Sequence, residues 1–284
     1  MLSVLGTILL IAVGLPLLLL LLLFLMPRPL LAFLDGRVTR ALDIENFNRQ
    51  SPYSHPGFAP VHREIDHGEV RVEGTIPADF SGVYLRNGTN TQFSELNSRM
   101  HMFNGAGMVH QVQVKNGVAT YSNSYVRTSR FDIEREAGRE VYPEFGDLAG
   151  AGKAGLFRII LDLLKKRFGV IPKLEMLENS SATTAIQYHN GKLYCLQETS
   201  YPFALDVEEK EGRLSLSGKG SWDNFHNALD TPFTAHPKID PATGDWYTFS
   251  TDLMTGRIHY SVLRGGHLDK HVELLTEKPA LAFL

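Results

Sequence analysis

Short runs that alternate apolar and polar residues, each ended by a glycine turn, fill most of the chain after position 61. Val70-Arg71-Val72-Glu73-Gly74 has the two-residue period that sends side chains alternately to the two faces of a strand. Val109-His110-Gln111-Val112-Gln113-Val114 does the same, meets Lys115-Asn116-Gly117, and returns as Val118-Ala119-Thr120-Tyr121. Asn-Gly between two such runs is a hairpin signal, because both residues tolerate the positive φ of a tight turn. The unit recurs as Ala185-Ile186-Gln187-Tyr188, turn His189-Asn190-Gly191-Lys192, and Leu193-Tyr194-Cys195-Leu196. It recurs again as Ile239-Asp240, turn Pro241-Ala242-Thr243-Gly244, and Trp246-Tyr247-Thr248-Phe249. Hairpins repeated at intervals of roughly 50–70 residues predict an all-β fold of the kind that makes propeller blades. A β-sandwich satisfies the same pattern.

Two stretches break this rhythm. From Leu2 to Met26 no residue is charged, and Leu17 to Leu23 is unbroken leucine. That length spans a hydrocarbon core of about 30 Å and predicts a transmembrane anchor over residues 1–26. A cleaved signal peptide is the rival, but nothing basic precedes the run and Met26-Pro27-Arg28-Pro29 follows it. Residues 27–60, rich in Pro, Arg and small polar residues, read as a linker and an irregular N-terminal arm. The second break is residues 148–168, where Leu156, Ile159, Ile160, Leu163, Leu164 and Phe168 follow helical spacing beside Arg158, Lys165, Lys166 and Arg167. An amphipathic helix of this kind lies at a membrane interface or packs on the domain surface.

Charge and cysteine usage narrow the setting. The net charge is −3, and apart from the cationic helix no basic cluster stands out, so a nucleic-acid partner has no support. Arg28, Arg37 and Arg40 follow the apolar span, which by the positive-inside rule puts the large C-terminal part in the cytoplasm. Cys195 is the single cysteine, so no intrachain disulfide forms, as suits a reducing compartment. The sequons Asn87-Gly88-Thr89 and Asn179-Ser180-Ser181 leave a lumenal placement open.

Most common catalytic signatures are absent. Residues 146–153 are glycine-rich but lack the glycine spacing and the Ser or Thr after Lys153 that a phosphate loop needs. Gly105-Ala106-Gly107 lacks the third glycine of a dinucleotide fingerprint, and no Gly-x-Ser-x-Gly elbow occurs. None of the 11 histidines forms a helical pair with a catalytic glutamate. His189 and His267, beside turn glycines, and His226, before a loop, read as solvated. His236 differs: in Phe233-Thr234-Ala235-His236-Pro237-Lys238 it follows an apolar-leaning run, is pinned by Pro237, and precedes a Pro/Gly turn. That arrangement can aim one imidazole at a metal.

Its companions sharpen this. Phe80-Ser81-Gly82-Val83-Tyr84-Leu85-Arg86-Asn87-Gly88-Thr89-Asn90 precedes His101-Met102-Phe103-Asn104-Gly105-Ala106-Gly107-Met108-Val109-His110. Residues 185–188 and 191–193, Glu198, and Pro202-Phe203-Ala204-Leu205-Asp206 come next, and the His236 run follows. This ordered set resembles the carotenoid cleavage oxygenase family, which includes the retinoid isomerohydrolases, over roughly residues 61–284. The resemblance implies a seven-bladed β-propeller with Fe(II) on its axis, held by four histidines, three of them oriented by acidic residues. His236 matches the first iron ligand, and Glu198 a supporting carboxylate. The family usually has prolines where this chain has Thr89 and Thr91, and acidic residues at Asn104 and Ala106; these positions shape loops.

The implied chemistry is cleavage of one conjugated double bond of a carotenoid or apocarotenoid by dioxygen, giving two carbonyl products, with the lipid-soluble polyene drawn from the membrane. Pro279-Ala280-Leu281-Ala282-Phe283-Leu284 is the kind of run that precedes the family's second histidine, and the sequence ends there. The expectation is therefore an N-terminal portion lacking three iron ligands, inactive by itself. The alternatives are a non-catalytic membrane-anchored binding or regulatory fragment, and ester cleavage with isomerisation of a retinoid at the same iron site.

Overall fold

A computed structural model describes residues 10–210, 212–252 and 255–274. Its described strands form three four-stranded antiparallel sheets. The first contains β1 (Ile65–Glu69), β2 (Gly82–Asn90), β3 (Ala106–Lys115) and β4 (Val118–Tyr125), in the order β1-β4-β3-β2. The second runs in chain order through β5 (Ala185–His189), β6 (Lys192–Leu196), β7 (Phe203–Lys210) and β8 (Arg213–Trp222). The third does likewise through β9 (Lys238–Ile239), β10 (Trp246–Thr251), β11 (Ile258–Arg264) and β12 (His267–Leu274). The last two sheets are simple meanders. In the first, β2 to β4 form the meander, and β1 joins it from upstream, beside β4.

The expected hairpins form where the turn chemistry placed them. Lys115 pairs with Val118 around Asn116 (φ 53°) and Gly117 (φ 76°), and His189 pairs with Lys192 around Asn190 (φ 46°) and Gly191 (φ 81°). Two successive positive φ angles make the turn whose twist matches that of the flanking strands. Ile239 pairs with Trp246 across the third turn. Residues 70–74, by contrast, are not a strand. Glu69 already pairs with Thr120, two residues from the start of β4, so the alternating run has almost no partner left.

The core lies between sheets. Strand β6 reads Leu193-Tyr194-Cys195-Leu196, without polar alternation, because both of its faces are covered. Leu193 and Cys195 pack with Val109 and Val126 of the first sheet's side, and with Phe203 and Leu205. Tyr194 and Leu196 face the other way, onto Phe225, Phe233, Trp246 and Leu263. Cys195 is fully buried and its thiol is pushed up by that burial, so it serves as a packing residue rather than a nucleophile. Gly107 sets the spacing of the first two sheets: its N–H donates to the Ser181 carbonyl at 3.1 Å, and a Cβ there would lie 2.8 Å from that oxygen.

Helices flank the sheets. They are α1 (Leu15–Leu25), α2 (Pro27–Leu42) and α3 (Ile44–Gln50) before β1, and α4 (Ser129–Ala137), α5 (Phe145–Leu148) and α6 (Gly152–Arg167) between β4 and β5. Much of the segment expected to be irregular, 27–60, is therefore helical. Pro27 and Pro29 fall in the first turn of α2, where a missing N–H costs nothing. Leu30, Leu31, Leu34 and Val38 then give α2 an apolar stripe that packs on Leu161, Leu164 and Phe168 around α6. Residues 1–9 of the expected anchor lie outside the described residues. Among the described residues no single helix is long and apolar enough to cross a membrane, although Ala12–Leu25 and Pro27–Gln50, bent by 119°, have the length and composition as a pair.

Candidate functional site

The segment holding His236 is fixed by the core on either side of it. Phe233, Thr234, Ala235 and Pro237 are buried, whereas the His236 side chain is 67% exposed. Phe233 packs on Trp246 with ring centroids 4.9 Å apart, and Thr234 Oγ1 accepts the His236 N–H at 3.1 Å. The imidazole thus projects from a rigid base just before β9.

Glu198 is brought to it by a separate set of contacts. It lies in the turn after β6, where the Gln197 Oε1 accepts the Ser180 hydroxyl at 2.8 Å and the Thr183 N–H at 3.2 Å. Two residues on, the Ser200 carbonyl accepts the Phe233 N–H at 2.9 Å, tying this turn to the His236 segment. Glu198 Oε1 consequently stands 3.5 Å from His236 Nε2. At that distance, and with both groups partly solvated, the pair adds at most about 1 kcal/mol to stability. Its chemical value is orientation: a carboxylate beside an imidazole fixes the ring and the nitrogen that bears hydrogen.

The other histidines go elsewhere. His189, expected to be solvated, is 4% exposed and stacks on Trp246 at 4.4 Å, because its strand end tucks against the third sheet. Burial lowers its pKa, with Asp245 pulling the other way. His226 and His267 are exposed and stack on each other at 5.8 Å. His259 and His271 also stack, at 5.2 Å, with the His271 Nδ1 2.8 Å from the Ser261 hydroxyl. Among the described residues no three His, Cys, Asp or Glu side chains converge on a metal position. The described part of the chain therefore offers an iron ion one suitable imidazole and a carboxylate, not a complete centre. An open cleft of about 690 Å³ is lined by Arg127, Asp132, Arg135, Asp206, Ser217 and Lys219; neither His236 nor Glu198 borders it, and its mixed charges do not suit a polyene.

Of the positions where the sequence departs from the carotenoid oxygenase pattern, expected to shape loops, Thr89 lies in β2 and Ala106 opens β3, while Thr91 and Asn104 lie outside the strands. Thr89 Oγ1 donates to the Met102 carbonyl at 2.8 Å. Asn104 Nδ2 donates to the Arg99 carbonyl at 2.8 Å and its Oδ1 accepts the Gly146 N–H at 3.0 Å, a two-way role that an ionised carboxylate could not fill. Sequence reasoning missed a buried polar centre behind this loop. Glu134, Glu140 and Glu144 surround Arg130, and Asp147 pairs with Arg158, all under 10% exposed. The i, i+4 pair Arg130/Glu134 and the close spacing of Glu140, Glu144 and Asp147 were the available signal.

The retinal pigment epithelial membrane protein (RPE65) family model matches residues 58–282. The chain belongs to this family. It is 33% identical over 231 residues to carotenoid 9,10(9',10')-cleavage dioxygenase 1 of Arabidopsis thaliana, covering 81% of this chain and 41% of that protein. It is 35% identical over 212 residues to the carotenoid 9,10(9',10')-cleavage dioxygenase of Crocus sativus, covering 74% and 37%. Its fold matches the lignostilbene dioxygenase of Pseudomonas brassicacearum with a TM-score of 0.64 and 25% identity, over 82% of this chain and 44% of that one. The chain thus spans about two fifths of the length of these curated relatives. Its three meander sheets accord with the β-propeller fold of the carotenoid oxygenases among its structural neighbours.

Proposed function

We propose that this chain carries the N-terminal portion of a membrane-associated, non-haem Fe(II) dioxygenase that cleaves a conjugated double bond of a carotenoid or apocarotenoid into two carbonyl products. The observation that carries this reading is the meeting of Glu198, from the turn after β6, and His236, from the segment before β9, within 3.5 Å. In this reading the three sheets are blades of a seven-bladed propeller. His236 holds iron together with imidazoles contributed from outside the described residues, and the metal supplies dioxygen activation when bound. Glu198 holds an imidazole in its binding orientation, and the buried run 233–235 keeps the ligand from swinging away.

Membrane association rests on where α1 and α6 put their apolar side chains. Leu17, Leu18, Leu20 and Phe24 of α1 are more than half exposed, as are Leu156, Phe157 and Leu163 of α6. Meanwhile Arg158 and Lys165 turn inward to Asp35, at 2.9 and 2.7 Å, and Lys166 pairs with Asp162 at 2.6 Å. Water would favour the reverse arrangement; a lipid interface favours this one. With Arg28, Arg37 and Arg40 on α2, the large domain sits on the cytoplasmic side.

The test is metal uptake and cleavage. The 284-residue chain is expected to retain less than one equivalent of Fe(II) after gel filtration. Fused to the region that follows the matched segment in the Arabidopsis relative, it should gain dioxygen-dependent cleavage of a carotenoid in micelles, and His236→Ala should abolish that activity. Stoichiometric iron in the chain alone, or cleavage that survives His236→Ala, would defeat the assignment.

A further inference from the structure

Residues 97–105, which lead into β3, are clamped to the helical segment before β5 by buried side chains. Glu140, 5% exposed, accepts the Asn97 N–H at 2.7 Å and the Ser98 hydroxyl at 3.0 Å. Asp147, 0% exposed, accepts the Arg99 N–H at 3.0 Å. Glu144 accepts the Gly105 N–H at 3.3 Å and pairs with Arg130. From the other side, Glu134 accepts the Val141 and Tyr142 N–H groups and stands 3.4 Å from Arg130.

The charges here do not balance. Four carboxylates face the guanidiniums of Arg130 and Arg158, and Arg158 is shared with Asp35. Arg99 lies over the Phe47 ring at 3.7 Å, from where its charge also favours the ionised Asp147, and Arg139 donates to the Glu140 carbonyl at 3.3 Å. Lys166, 5.1 Å from the Tyr142 ring centroid, is paired with Asp162. Buried like charges with too few partners hold a proton instead of ionising together.

We propose that Glu140, Glu144 and Asp147 form a proton-retaining latch, which clamps residues 97–105 to the helical insert while a carboxyl among them stays protonated and releases them when that proton passes to solvent. Burial pushes Glu140 up to about 7 although its two hydrogen bonds pull it down, and burial likewise raises Glu144 and Asp147 against Arg130 and Arg158. Glu140 and Glu144 stay protonated in the fold above the ordinary carboxylate range, so the folded state binds more protons than the unfolded one. Stability contributed by the cluster is therefore highest in acid and falls as pH rises through about 7. The released segment carries His101 and Phe103, which pack on Phe145 at 4.7 and 5.7 Å, so the latch also decides whether that aromatic cluster is assembled. None of this depends on iron or a polyene.

Trypsin reads the latch through the bond after Arg99. Cutting there is scored against cutting after Arg71, whose side chain is 86% exposed, which cancels the pH dependence of the protease. The ratio should rise about tenfold between about pH 6.5 and 8.5 in the native sequence, and stay flat in Glu140→Gln/Glu144→Gln. An unchanged ratio in the native sequence, or the same rise in the double variant, would overturn the latch. Carboxyl carbon NMR of the unmutated protein tests it without any variant. At least one Glu should titrate between about pH 6.5 and 8.5, and completion of every carboxyl below about pH 5.5 would equally overturn it.

Discussion

The sheets and the helical flank put charge in opposite places. In the sheets, the interior is Trp246, Phe233, Leu196, Leu263 and their neighbours, and the buried carboxylate Asp245 pairs with the exposed Arg264. In the flank, Arg158, Asp147, Glu144, Arg130 and Glu134 are inside, whereas Leu156, Phe157, Ile160 and Leu163 are outside. The first region is stabilised by removing apolar surface from water. The second adds buried ion pairs and hydrogen bonds to its smaller apolar clusters, and leaves much of the apolar surface of α6 exposed.

The sharpest way to break that contrast is to remove one anchor from each interior. Trp246 is fully buried, stacked on His189 and packed at an angle against Tyr194 and Phe233, and donates its indole N–H to Gln187 at 3.3 Å. Trp246→Ala should cost about 3–5 kcal/mol in denaturant unfolding, the usual loss for emptying an aromatic core site. In the flank, Arg158→Ala deletes no core volume in the sheets but removes the guanidinium beside Asp147, which is 0% exposed, and one of the two cations paired with Asp35. Asp147 keeps the Arg99 and Glu144 N–H groups, so losing its buried cationic partner should cost about 1–3 kcal/mol. If Arg158→Ala proves neutral while Trp246→Ala does not, the ion pairs are incidental and the contrast fails.

The two regions also differ in how far the sequence announces them. Hairpin turns at Asn116-Gly117 and Asn190-Gly191 are local signals, since two positive-φ residues between alternating runs decide the structure without help from elsewhere. The His236 and Glu198 positions came from motif order rather than local pattern; nothing in residues 196–199 shows that Ser200 will bond Phe233. Helix α2 was hidden because prolines and arginines read as a linker, and its stripe makes sense once α6 supplies the other half of the contact. The sequence predicts one amphipathic stripe on α6, but Leu164 and Phe168 pack inward while Leu156, Ile159, Ile160 and Leu163 do not. Which way a helix turns its cations is a tertiary fact, set here by Asp35, 123 residues from Arg158.

A smaller effect is expected at the junction of the two regions. Asn104→Asp restores the acidic residue usual among carotenoid oxygenases but removes the donor to the Arg99 carbonyl and to Ser98. The loss of buried donors should cost about 1–3 kcal/mol, measured by unfolding. It also adds a carboxylate beside Glu140, Glu144 and Asp147, so the penalty should be greater above pH 8, roughly, than near pH 6. A penalty that ignores pH would separate this loop from the buried carboxylates.

The smallest stability effect belongs to the residue that tests the flank most directly. Ile160 is 40% exposed on α6, two residues from the inward-facing Arg158. Ile160→Lys should leave unfolding unchanged to within about 0.5 kcal/mol, because no protein interior is disturbed. Flotation with neutral phospholipid vesicles should respond far more. Withdrawing one aliphatic side chain from lipid forfeits about 1.5 kcal/mol, so partitioning should drop by about tenfold. Neutral lipid matters to the logic: with anionic vesicles the added lysine would gain attraction and blur the loss. Should Ile160→Lys unfold the protein as Trp246→Ala does, the outward face of α6 is covered by polypeptide and the flank is an ordinary interior. Unchanged stability with unchanged partitioning would remove α6 from the proposed membrane contact.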